Sequence, residues 1–213
     1  MAVRPVFSVS SDDRFFVRED IEFQWFSGFA LSQKRKCINS LHSAYLAKRA
    51  NKNILEISSK SENELGVKLS AFNLMMHLNG KTFSVESAFQ AGKIFEAGGP
   101  YTDLLDKPSI AAKRDDRLKN SGRIVGFTFN SKDFAINPPT YFYNWLYINA
   151  LNENENLTEQ IIKYDAFTDI AFNPQKSLNC QAAAAALYVS LKRHNLLDKA
   201  LTNKDEFLKI ISR

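Results

Sequence analysis

The sequence predicts an α+β fold: a single helix-rich domain with short strands. Aromatic and β-branched runs cluster near the N-terminus, an Asn-Gly pair between two such runs marks a hairpin, and later segments repeat apolar residues at helical spacing. No internal repeat, low-complexity tract or linker interrupts the 213 residues, a length that one core can serve.

In chain order, Arg4–Ser10, Arg14–Glu19 and Ile21–Phe26 read as strands, with Ser11-Asp12-Asp13 as the first turn. From Leu31 to about Arg49, Ile38, Leu41 and Tyr45 recur at helical spacing among basic residues, which gives an amphipathic basic helix. Asn53–Ser59 reads as a buried strand, and residues 64–86 as strands turning at Asn79-Gly80. A helix capped by Ser84 follows and is broken by Gly98-Gly99-Pro100. Pro108–Asn120 reads as one helix, with the proline in its first turn, and Gly122–Phe129 as a strand. An aromatic helix starts after Pro138-Pro139, and another spans about Leu157 to Lys163. Tyr164–Pro174 reads as a loop, the Ala-rich segment after Asn179 as a long helix, and residues 203–212 as the last one.

A net charge of +5 favours an anionic partner. Lys34, Arg35, Lys36, Lys48, Arg49 and Lys52 fall between Ala30 and Leu55 without one acid. A second run, Lys113 to Arg123, is diluted by two aspartates. Such runs are either solvated helix faces or phosphate contacts. Cys37 and Cys180 stand far apart, and His42, His77 and His194 are scattered, so no metal ligand set is expected. The chain shows no apolar stretch of membrane-spanning length and no signal-like start. A reducing cytoplasm is the expected setting.

Glu86, Gln90 and Lys93 stand at i, i+4 and i+7, so one helical face would line up an acid, an amide and an amine, with Val85, Phe89 and Ile94 supplying apolar contacts. That stripe is either a solubilising face or the lining of a cleft. Its position, between the Asn79-Gly80 turn and a glycine-rich loop able to cover a ligand, favours the cleft.

The segments Leu69–Leu74, Asn79–Phe95 and Tyr164–Phe167 together resemble the NADAR superfamily, whose YbiA-like members carry Ser-Asn-Phe, a Val-Glu-His, Gln-Ala and Lys-Phe helix, and an Asp-aromatic loop. The superfamily resemblance covers about Leu69 to Leu191, and the first 60 or so residues, strands and basic helix, are similar only to the antitoxin branch encoded beside DarT-type DNA ADP-ribosyltransferase toxins. On that reading residues 1–213 form one NADAR-like domain. Carried over by position, Glu86, Lys93 and Asp165 are the implied catalytic residues and Gln90 the helix amide. The sequence departs from the pattern at Ser87, which replaces His, at Ser70-Ala71-Phe72, where Asn73 comes one place late, and at Thr168-Asp169, where Trp-Gly is usual.

The resemblance implies hydrolysis of ADP-ribose from guanine in DNA, with no cofactor, ADP-ribose as product and a DarT-type toxin as a possible partner. The chemistry suits the residue types. Cleavage at C1″ develops positive charge on the sugar, which a carboxylate stabilises while an acid protonates the departing nitrogen. Lys93 can hold a diphosphate as a cation or, with a lowered pKa, form an imine with the opened sugar. Tyr101 beyond Gly98-Gly99 suits stacking on a base and the glycine amides suit a diphosphate, unless the loop is a simple helix stop. Ser70 and Asn73 suit ribose hydroxyls or a turn, Trp145 a ligand stack or the core, and Asn179 the ligand or a helix cap. Two other functions stay open: an N-glycosidase of small riboflavin-pathway metabolites, and an antitoxin that neutralises the toxin by contact alone.

Overall fold

The computed structural model describes residues 1–12 and 14–212. Asp13, part of the first expected turn, lies outside them. Strands β1 (Ala2–Val9) and β2 (Phe16–Phe23) pair antiparallel along their full length. The second and third expected strands are thus one strand, and Trp25 and Phe26 lie beyond its end. Ile21 and Phe23 are buried on one face of β2. They meet Cys37, Ile38, Leu41 and Tyr45 of helix α1 (Leu31–Lys48), the predicted basic helix.

The sheet has the order β2-β1-β9-β3, with β3 Ile54–Glu56 and β9 Ala166–Thr168. The sequence predicts a loop over 164–174. A three-residue strand of Ala, Phe and Thr gives almost no periodic signal, yet β9 joins β1 antiparallel at Phe7 and Ser8 to β3 in parallel. Helix α2 (Glu64–Lys68) also corrects the strand expected there: the Asn63 side chain accepts a hydrogen bond from Leu65 N and starts a helical turn.

Strands β4 (Met75–Leu78) and β5 (Lys81–Ser84) form the predicted hairpin. Asn79 and Gly80 both have positive φ, 51° and 76°, as its two-residue turn requires. Ser84 then caps α3 (Val85–Ala91), its hydroxyl accepting from Ser87 N at 3.0 Å. This helix is shorter than the sequence suggested and ends before Lys93, which lies in β6 (Lys93–Phe95). The cause is a close approach at Gly92, whose carbonyl accepts from Thr128 N. A Cβ there would stand 2.5 Å from Thr128 O and 2.7 Å from Phe142 Cζ. The chain therefore leaves the helix and joins the sheet β6-β7-β8, with β7 Ile124–Phe129 and β8 Lys132–Phe134.

After the 3-10 turn η1 (Thr102–Asp106), residues 108–120 are not one helix but two, α4 (Ser109–Lys113) and α5 (Arg117–Asn120). The Asp115 carboxylate accepts from Arg117 N and turns the chain between the two pieces. Beyond them α6 (Tyr141–Asn152) is buried at ten of its twelve positions. Helix α7 is Glu155–Ile161, and α8 (Gln181–Arg193) packs its buried Ala182, Ala184, Ala185 and Ala186 into the same core. Helix α9 (Leu197–Leu201), not expected from the sequence, and α10 (Lys204–Ile211) close the chain. Among the described residues no helix is long and apolar enough to cross a membrane.

Candidate active site

All seven residues of α3 are buried, Glu86 and Gln90 included, so the polar stripe is not a solvated face. It borders a cleft of about 900 Å³ lined by Glu86, Phe89, Gln90 and Lys93 together with side chains from α4, α6 and the segment before α8. Gln90 Nε2 donates to Glu86 Oε1 at 2.7 Å, and Lys93 Nζ donates to Gln90 Oε1 at 2.6 Å. The amide thus holds acid and amine in one hydrogen-bonded row even though the helix has ended between them.

Lys93 Nζ lies 4.7 Å from the Phe89 ring centre. Burial pushes its pKa down from 10.5 to about 8; Glu86 opposes the fall and the ammonium of Lys113 adds to it. Lys113 reaches in from α4, 3.4 Å from Glu86 Oε1 and 4.8 Å from the Phe72 ring centre. The rest of its basic run is largely engaged by carboxylates: Arg117 with Asp103 and Asp115, Lys119 with Asp116, Arg123 with Glu96. One lysine of the run faces the cleft.

The loop before β4 locks these parts together. Ala71 N donates to Gln181 Oε1 at 2.7 Å and Ala71 O accepts from Glu86 N at 2.9 Å, so one residue ties the start of α8 to the start of α3. Ser109 Oγ donates to Phe72 O at 2.8 Å, which fixes α4 and hence Lys113. Gln181 Nε2 also donates to Asp169 Oδ2 at 3.0 Å and to Ile57 O at 2.7 Å. The other Asp169 oxygen accepts from Ala171 N and Phe172 N. Burial, with the nearby Glu56 carboxylate, pushes Asp169 up from 3.8 to about 7. Glu56 is itself raised by burial and accepts from Ser58, Thr168 and Ile170 N. Tyr143 stands edge-on to Phe89 at 5.3 Å, and burial keeps its phenol protonated well above its ordinary range.

Of the sequence-predicted residues, Glu86, Gln90, Lys93 and Asn179 line the cleft. Asn179 precedes Cys180, which is the helix N-cap, so its capping alternative falls away. Asp165 is placed elsewhere: its carboxylate accepts from Asn53 N and pairs with Arg193 at 3.1 Å, outside the cleft lining. Asp169, four residues on, is the acid that reaches the cleft. Ser70 is buried behind the lining, and exposed Asn73 donates to Val67 O, the turn alternative. Gly98 and Gly99 serve packing. A Cβ on Gly98 would stand 2.2 Å from Tyr101 Oη, and one on Gly99, at φ +82°, 2.3 Å from Lys93 O. Tyr101 hydrogen-bonds Ser121 and lies under Arg117, 4.4 Å from its ring centre. Trp145 is core, packed on Phe134 and Phe207.

Lys113, Tyr143, Asp169 and Gln181 are cleft residues that the sequence did not single out as ligand-binding. Gln181, opening an Ala-rich helix, was the nearest to a signal; nothing in an aromatic run distinguishes Tyr143 from its neighbours. No curated protein matches the chain. The model of a family described as the DarT1-associated NADAR antitoxin matches residues 2–213. The chain therefore belongs to the family of DarT1-associated NADAR antitoxins.

Proposed function

We propose that this antitoxin is an ADP-ribosyl-guanine glycohydrolase: it removes ADP-ribose from guanine bases in DNA by cleaving the N-glycosidic bond at C1″. The observation that carries this reading is the row Glu86–Gln90–Lys93 inside a cleft whose volume suits a nucleotide-sized ligand. Lys93 acts at the sugar. Its lowered pKa leaves part of the amine uncharged near neutrality, and the bond to Gln90 Oε1 uses an N–H, so the lone pair stays available. The sugar first opens to the guanine imine, C1″–O4″ breaking as the guanine N–H proton moves to O4″; the Lys93 lone pair then adds to C1″, and Glu86 carries the protons that the lysine nitrogen gives up to the guanine nitrogen as its bond to C1″ breaks. The imine left on Lys93 takes up water, releasing ADP-ribose and the free amine. Lys113 beside Glu86 suits a diphosphate oxygen, and Asp169, not Asp165, is the acid of this loop that supports the site, through Gln181 and Ala71.

The test is incubation with guanine-ADP-ribosylated DNA, detection of free ADP-ribose, and borohydride trapping followed by intact-mass measurement. The expected result is release from guanine and not from thymine-linked DNA, with an adduct on Lys93. Release without an adduct removes the imine step, and no release removes the enzyme reading. Glu86→Gln separates catalysis from neutralisation of the toxin by contact: a folded variant that still protects cells overturns the catalytic account.

A further inference from the structure

A second depression adjoins the main cleft. Asn173 lines both, and the second is bordered by Ala2–Pro5 of β1, by Arg18 and Asp20 of β2, and by Pro174 and Gln175, with a volume of about 580 Å³. Within β1, β9 pairs with Phe7 and Ser8, and among the described residues no strand pairs with the first half of β1 on that side. Arg18 and Asp20 neutralise one another there in a two-pronged pair. Arg4 is different. Its guanidinium carbon lies 5.4 Å from the Trp25 ring centre, its Nε is buried with no hydrogen-bond partner, and among the described residues it is in no ion pair. Lys34 of α1 also lies on Trp25, 4.7 Å from the ring centre, and among the described residues it too has no carboxylate partner. Lys36 sits 6.0 Å from the Phe26 ring centre, and Phe29, in the same short connection to α1, is fully exposed.

Cations held on aromatic rings without acids to cancel them, beside an exposed aromatic side chain, have the chemistry that tracks a phosphodiester backbone and stacks its bases. Resting on the reading of the cleft as a guanine-ADP-ribose site in DNA, we propose that the strand flanking the modified guanine runs over Asn173 and around the edge of β1 to the α1 side of the sheet. Arg4 and Lys34 contact its phosphates and Phe29 stacks on a base. The N-terminal strands and the start of α1 thereby form a strand-binding platform, and the occupant is single-stranded nucleic acid. Trp25 acts as the support that gathers the two cations.

The experiment uses the full chain and an unmodified single-stranded oligonucleotide, so it needs no turnover. Binding is measured across a salt series for wild type, Lys34→Glu, Arg4→Gln and Phe29→Ala, with thermal unfolding as a check on fold. The expected result is salt-dependent binding by wild type, weakened on the order of tenfold by each change. Loss of one phosphate contact lowers the log–log salt slope by about 0.7 in Lys34→Glu and in Arg4→Gln, and leaves it unaltered in Phe29→Ala. In turnover assays the preference for a long modified oligonucleotide over ADP-ribosylated guanosine alone falls by a similar factor. Failure of the cleft reading shows as absence of ADP-ribose release from either substrate while oligonucleotide binding remains. Folded variants that bind the oligonucleotide like wild type overturn the platform. So does a result in which they lose affinity for the toxin instead, which assigns the surface to a protein partner.

Discussion

The charge of Lys93 sets the pH dependence of the reaction. With its pKa pushed down from 10.5 to about 8, about a quarter of the amine is uncharged at pH 7.5, against about one part in a thousand for an ordinary lysine. A nucleophilic amine therefore gains about two hundredfold in reactive form from its surroundings alone. The rate of ADP-ribose release under substrate saturation should rise with pH through an inflection near 8 and level off above it. Lys113 supplies part of the shift, since its ammonium disfavours a second charge nearby. Lys113→Met should move the inflection to higher pH and slow the reaction most at the acid end. Lys93→Arg, a cation that cannot deprotonate, should leave the fold intact and abolish turnover. The assay is product release across pH 6 to 10 with wild type and both variants. A profile flat through that range, or an inflection unmoved in Lys113→Met, would refute the claim that Lys93 reacts as a free amine.

Asp165→Ala should cost about 1 kcal/mol in urea unfolding through loss of the part-exposed Arg193 pair and the Asn53 bond, with kcat retained; a folded variant without turnover returns Asp165 to the chemistry. Stability should fall as pH rises from about 4 to about 7, because Asp169 with its raised pKa binds more protons folded than unfolded in that window. Glu56→Gln, which removes the neighbouring carboxylate, should flatten that decline, read from urea midpoints against pH. Gly99→Ala should destabilise by at least about 1 kcal/mol, because Ala disfavours positive φ and its Cβ meets the Lys93 carbonyl. It should also lower kcat by displacing β6, and unchanged melting and kinetics would show that the loop yields freely.

Much of the architecture was legible because it rests on local rules. Asn79-Gly80 dictates a tight hairpin, Ser84 begins a helix, and the spacing of Ile38, Leu41 and Tyr45 gives α1 a buried face. Elements too short to carry a period were not legible: β9 is three residues long and is a strand only because β1 and β3 flank it. The helix through Lys93 failed for a related reason, since Gly92 is compatible with a helix and only the approach of Thr128 and Phe142 ends it there.

The candidate site divides along the same line. Local spacing brings an acid, an amide and an amine close together, because Glu86 and Gln90 are one helical turn apart and Lys93 follows within the reach of a long side chain. Long-range packing sets which acid of the later loop lines the same cleft and which lysine of the basic run turns toward Glu86. It places Asp169 on the cleft and Asp165 outside it, four residues away, and turns Lys113 inward while carboxylates engage Arg117 and Arg123. Those choices follow from contacts between residues distant in sequence, such as Ala71 with Gln181, where burial makes each polar group find a partner and no local pattern records which one.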